Sequence, residues 1–256
     1  MTLFATLLLS FILLLVTKSS SEEPGQRLGE RRYNGLKFGP TKQDFVLLKL
    51  NMSPRQVYYS VCGWVKKIRT DVSRPFWFAF GTRKGVNKIQ STDNGYFYTL
   101  GINLDLRSNV TDLIGTWRHM CLTWRLSTRT ARAYIDGTEI GSRTTPSGRG
   151  PWLDGYLVLG NEFDKYGRGF QDRHAFGGEL YKVNVFNKEL SAGQVKEMSD
   201  SGVCSDIEDR YGERRRLKWE EMVLEEKSGN VIEIGVGCYV LAVIVDLKKD
   251  LMKTAG

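Results

Sequence analysis

From about Asp44 onward the chain falls into short runs in which apolar and polar residues alternate, separated by Gly, Asn, Asp and Pro. Runs of this kind, rich in Val, Tyr, Phe, Trp and Thr, predict β-strands over residues 45–50, 56–65, 76–80, 96–106, 118–126, 131–135, 156–159 and 179–186. Within 119–126, Met120, Leu122, Trp124 and Leu126 share one face, and His119, Cys121, Thr123 and Arg125 share the other. That is a period of two rather than 3.6. The tetrapeptide Ile135-Asp136-Gly137-Thr138 sets an Asp-Gly pair between two such runs, the preferred content of a type I′ hairpin turn. Eight or more strands at this spacing predict an all-β fold, a sandwich of two antiparallel sheets. One short helix is predicted, over 191–201, with Ser191 as its cap and Val195 and Met198 three residues apart on its inner face.

The first residues do not follow this pattern. Residues 7–16 are an uncharged apolar run, shorter than the ~20 residues needed to span a bilayer. Thr17, Lys18 and three serines follow it, the arrangement of a secretory signal peptide over 1–20, with an uncleaved N-terminal anchor as the alternative. Residues 21–36 then form a polar linker, 37–238 the folded domain, and 239–256 a tail that begins apolar and turns basic. Within the 256 residues, 41% are hydrophobic and 26% charged, enough to bury a core.

Export changes the meaning of Cys62, Cys121, Cys204 and Cys238, which lie too far apart for a zinc pattern and allow three disulfide pairings. It also makes Asn109 and Asn51 glycosylation candidates, the latter weakened by the Pro54 that follows its sequon. The net charge of +8 suggests acidic partners such as polyanionic glycans or anionic headgroups, but the plainer reading, a solvated basic surface, is preferred. No stripe of Lys and Arg interleaved with aromatic residues points to nucleic acid.

Three segments carry a family resemblance. Trp117-Arg118-His119-Met120-Cys121-Leu122-Thr123-Trp124 resembles the pentraxin signature His-x-Cys-x-Ser/Thr-Trp, departing from it at Leu126, where Ser or Thr is usual. Leu157 to Asp164, with Gly167, Phe170 and Gly178-Glu179-Leu180, is similar to the pentraxin calcium loop and the strand after it. Leu217-Lys218-Trp219 is similar to a motif near the family's C-terminus, and with Val61-Cys62-Gly63-Trp64 the likeness covers about residues 37–238. The resemblance implies a jelly roll like that of concanavalin-type lectins and laminin G modules, and a Cys62–Cys121 disulfide. Cys204 and Cys238 should then pair with each other, since an exported chain gains little from free thiols, and similar C-terminal pairs occur in horseshoe crab pentraxins.

The resemblance also implies a metal site. Its calcium ligands fall on Asn87, Glu162, the Phe163 carbonyl, Asp164 and Gln171, while a carboxylate position falls on Val86 and an amide position on His174. Calcium seeks hard oxygens, and its affinity follows ligand charge. Residues 161–175 hold three acids (Glu162, Asp164, Asp172) against three bases (Lys165, Arg168, Arg173). That balance predicts one weakly held ion per protomer, or none if Asp164 instead pairs with Lys165 or Arg168. The Lys165, Arg168 and Arg173 cluster is itself a candidate for contacting an anionic ligand directly.

The function so implied is that of a secreted, calcium-dependent, lectin-like pattern-recognition protein of innate immunity. It would bind phosphocholine-like or other anionic ligands on microbial or damaged cell surfaces as a cyclic homo-oligomer. The alternative is a diverged structural or venom-type jelly-roll module that has lost calcium and ligand. An enzyme is disfavoured. Jelly-roll glycoside hydrolases need paired carboxylates ~5–5.5 Å apart, and the Glu162-Phe163-Asp164 start is followed by Gly167 where the next Glu belongs.

Overall fold

The computed structural model describes residues 33–52, 57–68, 71, 74–82, 85–106, 114–146, 153–207, 210–211, 215–223 and 227–236. The strands, in chain order, are β1 (Tyr33–Lys37), β2 (Phe45–Met52), β3 (Tyr58–Lys67), β4 (Phe76–Thr82), β5 (Gly85–Thr92), β6 (Tyr96–Thr99), β7 (Ile102–Asp105) and β8 (Trp117–Arg125). They continue with β9 (Thr130–Ile135), β10 (Thr138–Thr144), β11 (Leu153–Leu159), β12 (Gly178–Phe186), β13 (Arg215–Leu217), β14 (Lys227–Ser228) and β15 (Ile232–Val236). Among the described residues, two α-helices, α1 (Ala192–Asp200) and α2 (Trp219–Val223), accompany the strands.

The strands make two antiparallel sheets. One runs β10-β9-β8-β3-β12-β1-β15, with β13 added to β12, and the other runs β14-β2-β11-β4-β5-β6-β7. Alternation along each strand sends one set of side chains into the space between them. Tyr59, Leu122, Trp124 and Val183 meet Trp77, Phe78, Phe97 and Leu157 there, all essentially inaccessible to water. Each such side chain contributes about 1.5–3 kcal/mol by burial. The indole N–H groups inside this core still need acceptors. Trp77 donates to Ser91 Oγ at 2.9 Å, Trp124 to Thr145 Oγ1 at 3.1 Å, and Trp219 to the Asn34 carbonyl at 2.7 Å.

β8 departs from the half-exposed strand that its alternation suggests. Met120, Leu122 and Trp124 face the main core, yet His119, Cys121 and Thr123 on the other face are buried too. The reason is α1. Ser191 accepts from the Gln194 backbone and Gln194 returns a bond to the Ser191 backbone, a capping box that starts the helix. Val195 and Met198 then pack with Tyr134, Phe186, Leu190 and the Cys62–Cys121 disulfide in a second apolar cluster. Cys62 and Cys121 sit directly opposite each other in the β3–β8 register, with Cα atoms 4.1 Å apart. Cys204 is disulfide-bonded as well, and Cys238 lies outside the described residues.

The Asp-Gly turn forms as its sequence requires. Asp136 and Gly137 have φ of 49° and 76°, and Ile135 pairs with Thr138 across it. A Cβ at Gly137 would stand 2.9 Å from the Lys196 Cα, so α1 lies against the turn. Gly137→Ala therefore combines an unfavourable left-handed alanine with a backbone clash, and urea denaturation is expected to register a loss of about 1–3 kcal/mol.

Three features extend or limit the sequence pattern. Residues 33–36, which composition alone assigns to the linker, form most of β1, because pairing with both β12 and β15 outweighs their polar character. α2 is a helical turn that periodicity does not announce, and it buries Trp219, Met222 and Val223. The signal-peptide, tail and Asn109 expectations fall on residues outside those described. Among the described residues, no helix is long and apolar enough to cross a membrane.

Candidate functional site

The loop from Gly160 to Gly177 joins β11 to β12, and its two ends are fixed before its chemistry begins. The Gly160 N–H donates to the Trp77 carbonyl at 3.1 Å, and the Phe176 N–H donates back to the Gly160 carbonyl at 2.9 Å. Gly160 has a φ of 86° and no room for a Cβ, which would meet the Phe38 ring at 2.3 Å. Beneath it lies Asp44, a buried carboxylate accepting from the Thr41 N–H (2.8 Å), Thr41 Oγ1 (2.7 Å) and the Asn230 N–H (2.6 Å). Burial by itself would raise the Asp44 pKa, but the bonds from Asn230 and Thr41 outweigh it and hold the group below its ordinary value. The 38–44 turn reaches the loop directly, since the Lys42 N–H donates to Asp172 Oδ1 at 2.8 Å.

Inside the loop, Asn161 is the organiser that sequence inspection passes over. It is fully buried, its side-chain oxygen accepts the Glu162 N–H at 2.8 Å, and its amide donates to the Gln171 carbonyl at 3.3 Å. The second of these bonds draws the entering and returning arms together. The Gln171 amide consequently bonds to Asp164 Oδ2. Glu162 is 3% exposed, with its Oε1 against Nδ1 of His174. Phe163 turns its ring into an apolar cluster with Ala79 and Val158, flanked by Phe45, Leu47, Tyr156 and Phe170. The ring thereby anchors the backbone between the two acids.

Of the expected metal-site residues, Glu162, Phe163, Asp164 and Gln171 thus share one short loop, with Asp164 and Gln171 in contact. Asn87 lies on β5, described for its backbone only, and the same holds for Asn51 on β2. Asp164 takes Gln171 as its partner rather than Lys165 or Arg168. Those two cations are exposed and face each other across a hairpin, bonded through their backbones at 3.0 and 2.8 Å. Arg173 is exposed on the 3-10 turn Asp172–His174.

Carboxylate, amide and carbonyl oxygens of this kind are the donors a hard cation takes. The Gln171 side-chain N–H donates to the Asp164 carboxylate, and one oxygen of Glu162 stands against an imidazole nitrogen of His174. Among the described residues, the group of three His, Cys, Asp or Glu donors within reach of one another is Cys62, His119 and Cys121, within 4.8 Å. Its two sulfurs are joined in the disulfide, so it is a packing cluster and no metal centre. His119 is buried there, 5.2 Å from the Trp64 ring, and loss of hydration pushes its pKa down to about 4.

Comparison with known proteins agrees with this architecture. The family described as Concanavalin A-like lectin/glucanases superfamily (Laminin_G_3) matches residues 41–196. Human neuronal pentraxin-1 is 32% identical over 161 residues, covering 61% of this chain and 37% of that protein. Rabbit (Oryctolagus cuniculus) C-reactive protein is 25% identical over 131 residues, covering 50% of this chain and 58% of that protein. This chain therefore spans less than two thirds of either relative. The crystal structure of a native heptameric SAP-like pentraxin from Limulus polyphemus superposes with a TM-score of 0.62 at 20% identity, covering 82% of this chain and 98% of that one. On these grounds the chain belongs to the concanavalin A-like lectin/glucanase superfamily, and the relatives it resembles within that superfamily are pentraxins.

Proposed function

We propose that this protein is a secreted recognition module that binds anionic or phosphorylated ligands through a single, weakly held calcium ion. The observation that carries the reading is the convergence of Asp164 and Gln171 across a loop whose arms Asn161 ties together. Glu162, the Phe163 carbonyl, Asp164 and Gln171 would hold the ion, with Asn87 contributing from β5. Bound calcium would supply positive charge and an open coordination position for a ligand oxygen. The protein's own part is positional. Phe163 fixes the backbone between the two acids, and Asn161 sets the loop's width. The pentraxin family supports lectin-type binding in place of catalysis, and the hydrolase carboxylate pair lacks its second member at Gly167. Phosphocholine-like headgroups on microbial or damaged surfaces, and assembly into rings that turn weak sites into avidity, complete the proposal.

Calcium titration by calorimetry tests it. One ion per protomer is expected, lost in Asp164→Ala. Because affinity follows ligand charge, Gln171→Glu is expected to tighten that ion about tenfold. Gln171→Glu combined with His174→Gln, which replaces the imidazole with an oxygen donor, is expected to admit a second ion. Two tight ions in the unaltered protein, or none in any variant, would overturn the reading. On phosphocholine beads, retention is expected with calcium and release in chelator.

A further inference from the structure

On the face of β3 and β8 turned away from the main core, three side chains that carry soft or borderline donor atoms meet. The sulfurs of Cys62 and Cys121 and a ring nitrogen of His119 lie within 4.8 Å of one another. Each of the three residues is at most 1% exposed. Register explains the meeting, since Cys121 stands directly opposite Cys62, and His119, two residues before Cys121, shares its face. Among the described residues, no fourth His, Cys, Asp or Glu joins the group. Met198 of α1 packs into the same apolar cluster as the two cysteines, with Val195, Leu190 and Phe186. The Nδ1 atom of His119 is buried and finds no hydrogen-bond partner among the described groups. A buried polar atom left in that state costs stability, and the fold nevertheless keeps it beside two sulfurs.

While the disulfide is closed, the cluster takes no metal. We propose that, once a thiol reductant opens the Cys62–Cys121 bond, the cluster binds a copper(I) ion through the two thiolates and His119. The exchange balances. Two external thiols pass two electrons and two protons to the disulfide and leave as an external disulfide. Copper(I) then displaces the two cysteine thiol protons. Thiolate sulfur is a soft donor that selects copper(I) or zinc among the common ions. The donor count separates those two. Structural zinc sites close with four ligands, and the group here supplies three. Copper(I) is satisfied by two or three soft donors, and Met198 sets a thioether in the surrounding shell, a group that suits copper(I). The cysteines are covered by α1, so reductant and ion reach them when this nine-residue helix opens locally. The inference stands apart from the calcium reading, because it uses no residue of the 160–177 loop and calcium takes oxygen in place of sulfur.

The test uses the full chain carrying Cys204→Ser and Cys238→Ser, so that one pair of sulfurs remains. It is opened with dithiothreitol, freed of the reductant without air, and titrated with copper(I) against the coloured copper(I) complex of bicinchoninate. One ion per chain is expected to transfer to the opened protein, and none to the same protein left oxidised. His119→Phe is expected to weaken the uptake at least about tenfold, since it removes one of three ligands and leaves both thiolates. Copper(I) is also expected to raise the urea midpoint of the opened chain, because it binds the folded arrangement, and that rise is expected to vanish in His119→Phe. This second readout separates the pocket from a loose pair of thiols on an unfolded chain. Equal uptake with and without His119, or uptake that leaves the midpoint unchanged, would overturn the proposal. So would absence of uptake, or one zinc ion taken up in preference to copper(I). No arm contains calcium, so failure here leaves the calcium titration unaffected, and the reverse also holds.

Discussion

Replacing Cys62 and Cys121 together by alanine is expected to lower the unfolding free energy by about 4 kcal/mol, the largest loss from any change proposed for this protein. The bond closes a loop spanning 59 residues of sequence, from the middle of β3 to the middle of β8. In the chain-entropy account, the free chain regains the conformations that this closure removes. The folded state pays little in return, because the β3–β8 register already holds the two residues opposite each other. Guanidinium denaturation followed by tryptophan fluorescence measures the difference. Since Trp64, Trp77 and Trp124 are all buried, the signal reports the whole sandwich. A loss below about 1 kcal/mol would mean that the unfolded chain holds these strands together without the bond.

The second large effect is an acid dependence set by His119. Burial holds its pKa at about 4 in the folded protein, against an ordinary value of 6.5 for the exposed side chain. Between those two values the unfolded chain binds a proton at this position and the folded chain does not. Falling pH in that window therefore favours unfolding. Stability from this group is complete above pH 6.5 and declines as the pH drops through 6.5 toward 4. The total is on the order of 3 kcal/mol. The surroundings offer the cation nothing in exchange. The ring lies against Trp64, and Asp136 spends its carboxylate on the His119 backbone N–H and on Arg118. His119→Phe should flatten the profile between pH 4 and 6.5, and an unchanged slope in that variant would refute the assignment. Asp44 acts in a separate and lower window. Its pKa is depressed in the folded state, so its contribution is present above the ordinary carboxylate value of 3.8 and is lost only as the pH falls below it.

Much of the sandwich could be seen in the residues themselves, and the reasons are local. Alternation in 118–126 and 179–186 marks strands because a pleated backbone turns successive side chains to opposite faces. Asp136-Gly137 marks a turn because both positions need a positive φ. Ser191 and Gln194 mark the start of α1 because they can satisfy its first backbone donors themselves. β1, β13 and β15 gave no such signal. They are short, and what holds Tyr33–Lys37 in place is a partner strand about two hundred residues away in sequence. The burial of Cys121 was equally hidden, since its cover, Val195 and Met198, comes from a helix formed much later in the chain.

The candidate site divides along the same line. Charge counting over residues 161–175 needs no structure, and it already shows a loop whose acids and bases balance. The motif Asn161-Glu162-Phe163-Asp164 supplies the oxygen chemistry by residue type alone. Which oxygens remain free is a tertiary matter. Asn161 closes the loop, His174 is carried onto Glu162, Gln171 onto Asp164, and Tyr156 under the Lys165–Arg168 hairpin. Residue identity fixes a group's charge and its donors or acceptors at once, because these are covalent properties. Its partner depends on where distant backbone segments come to rest, and only the packed sheets decide that.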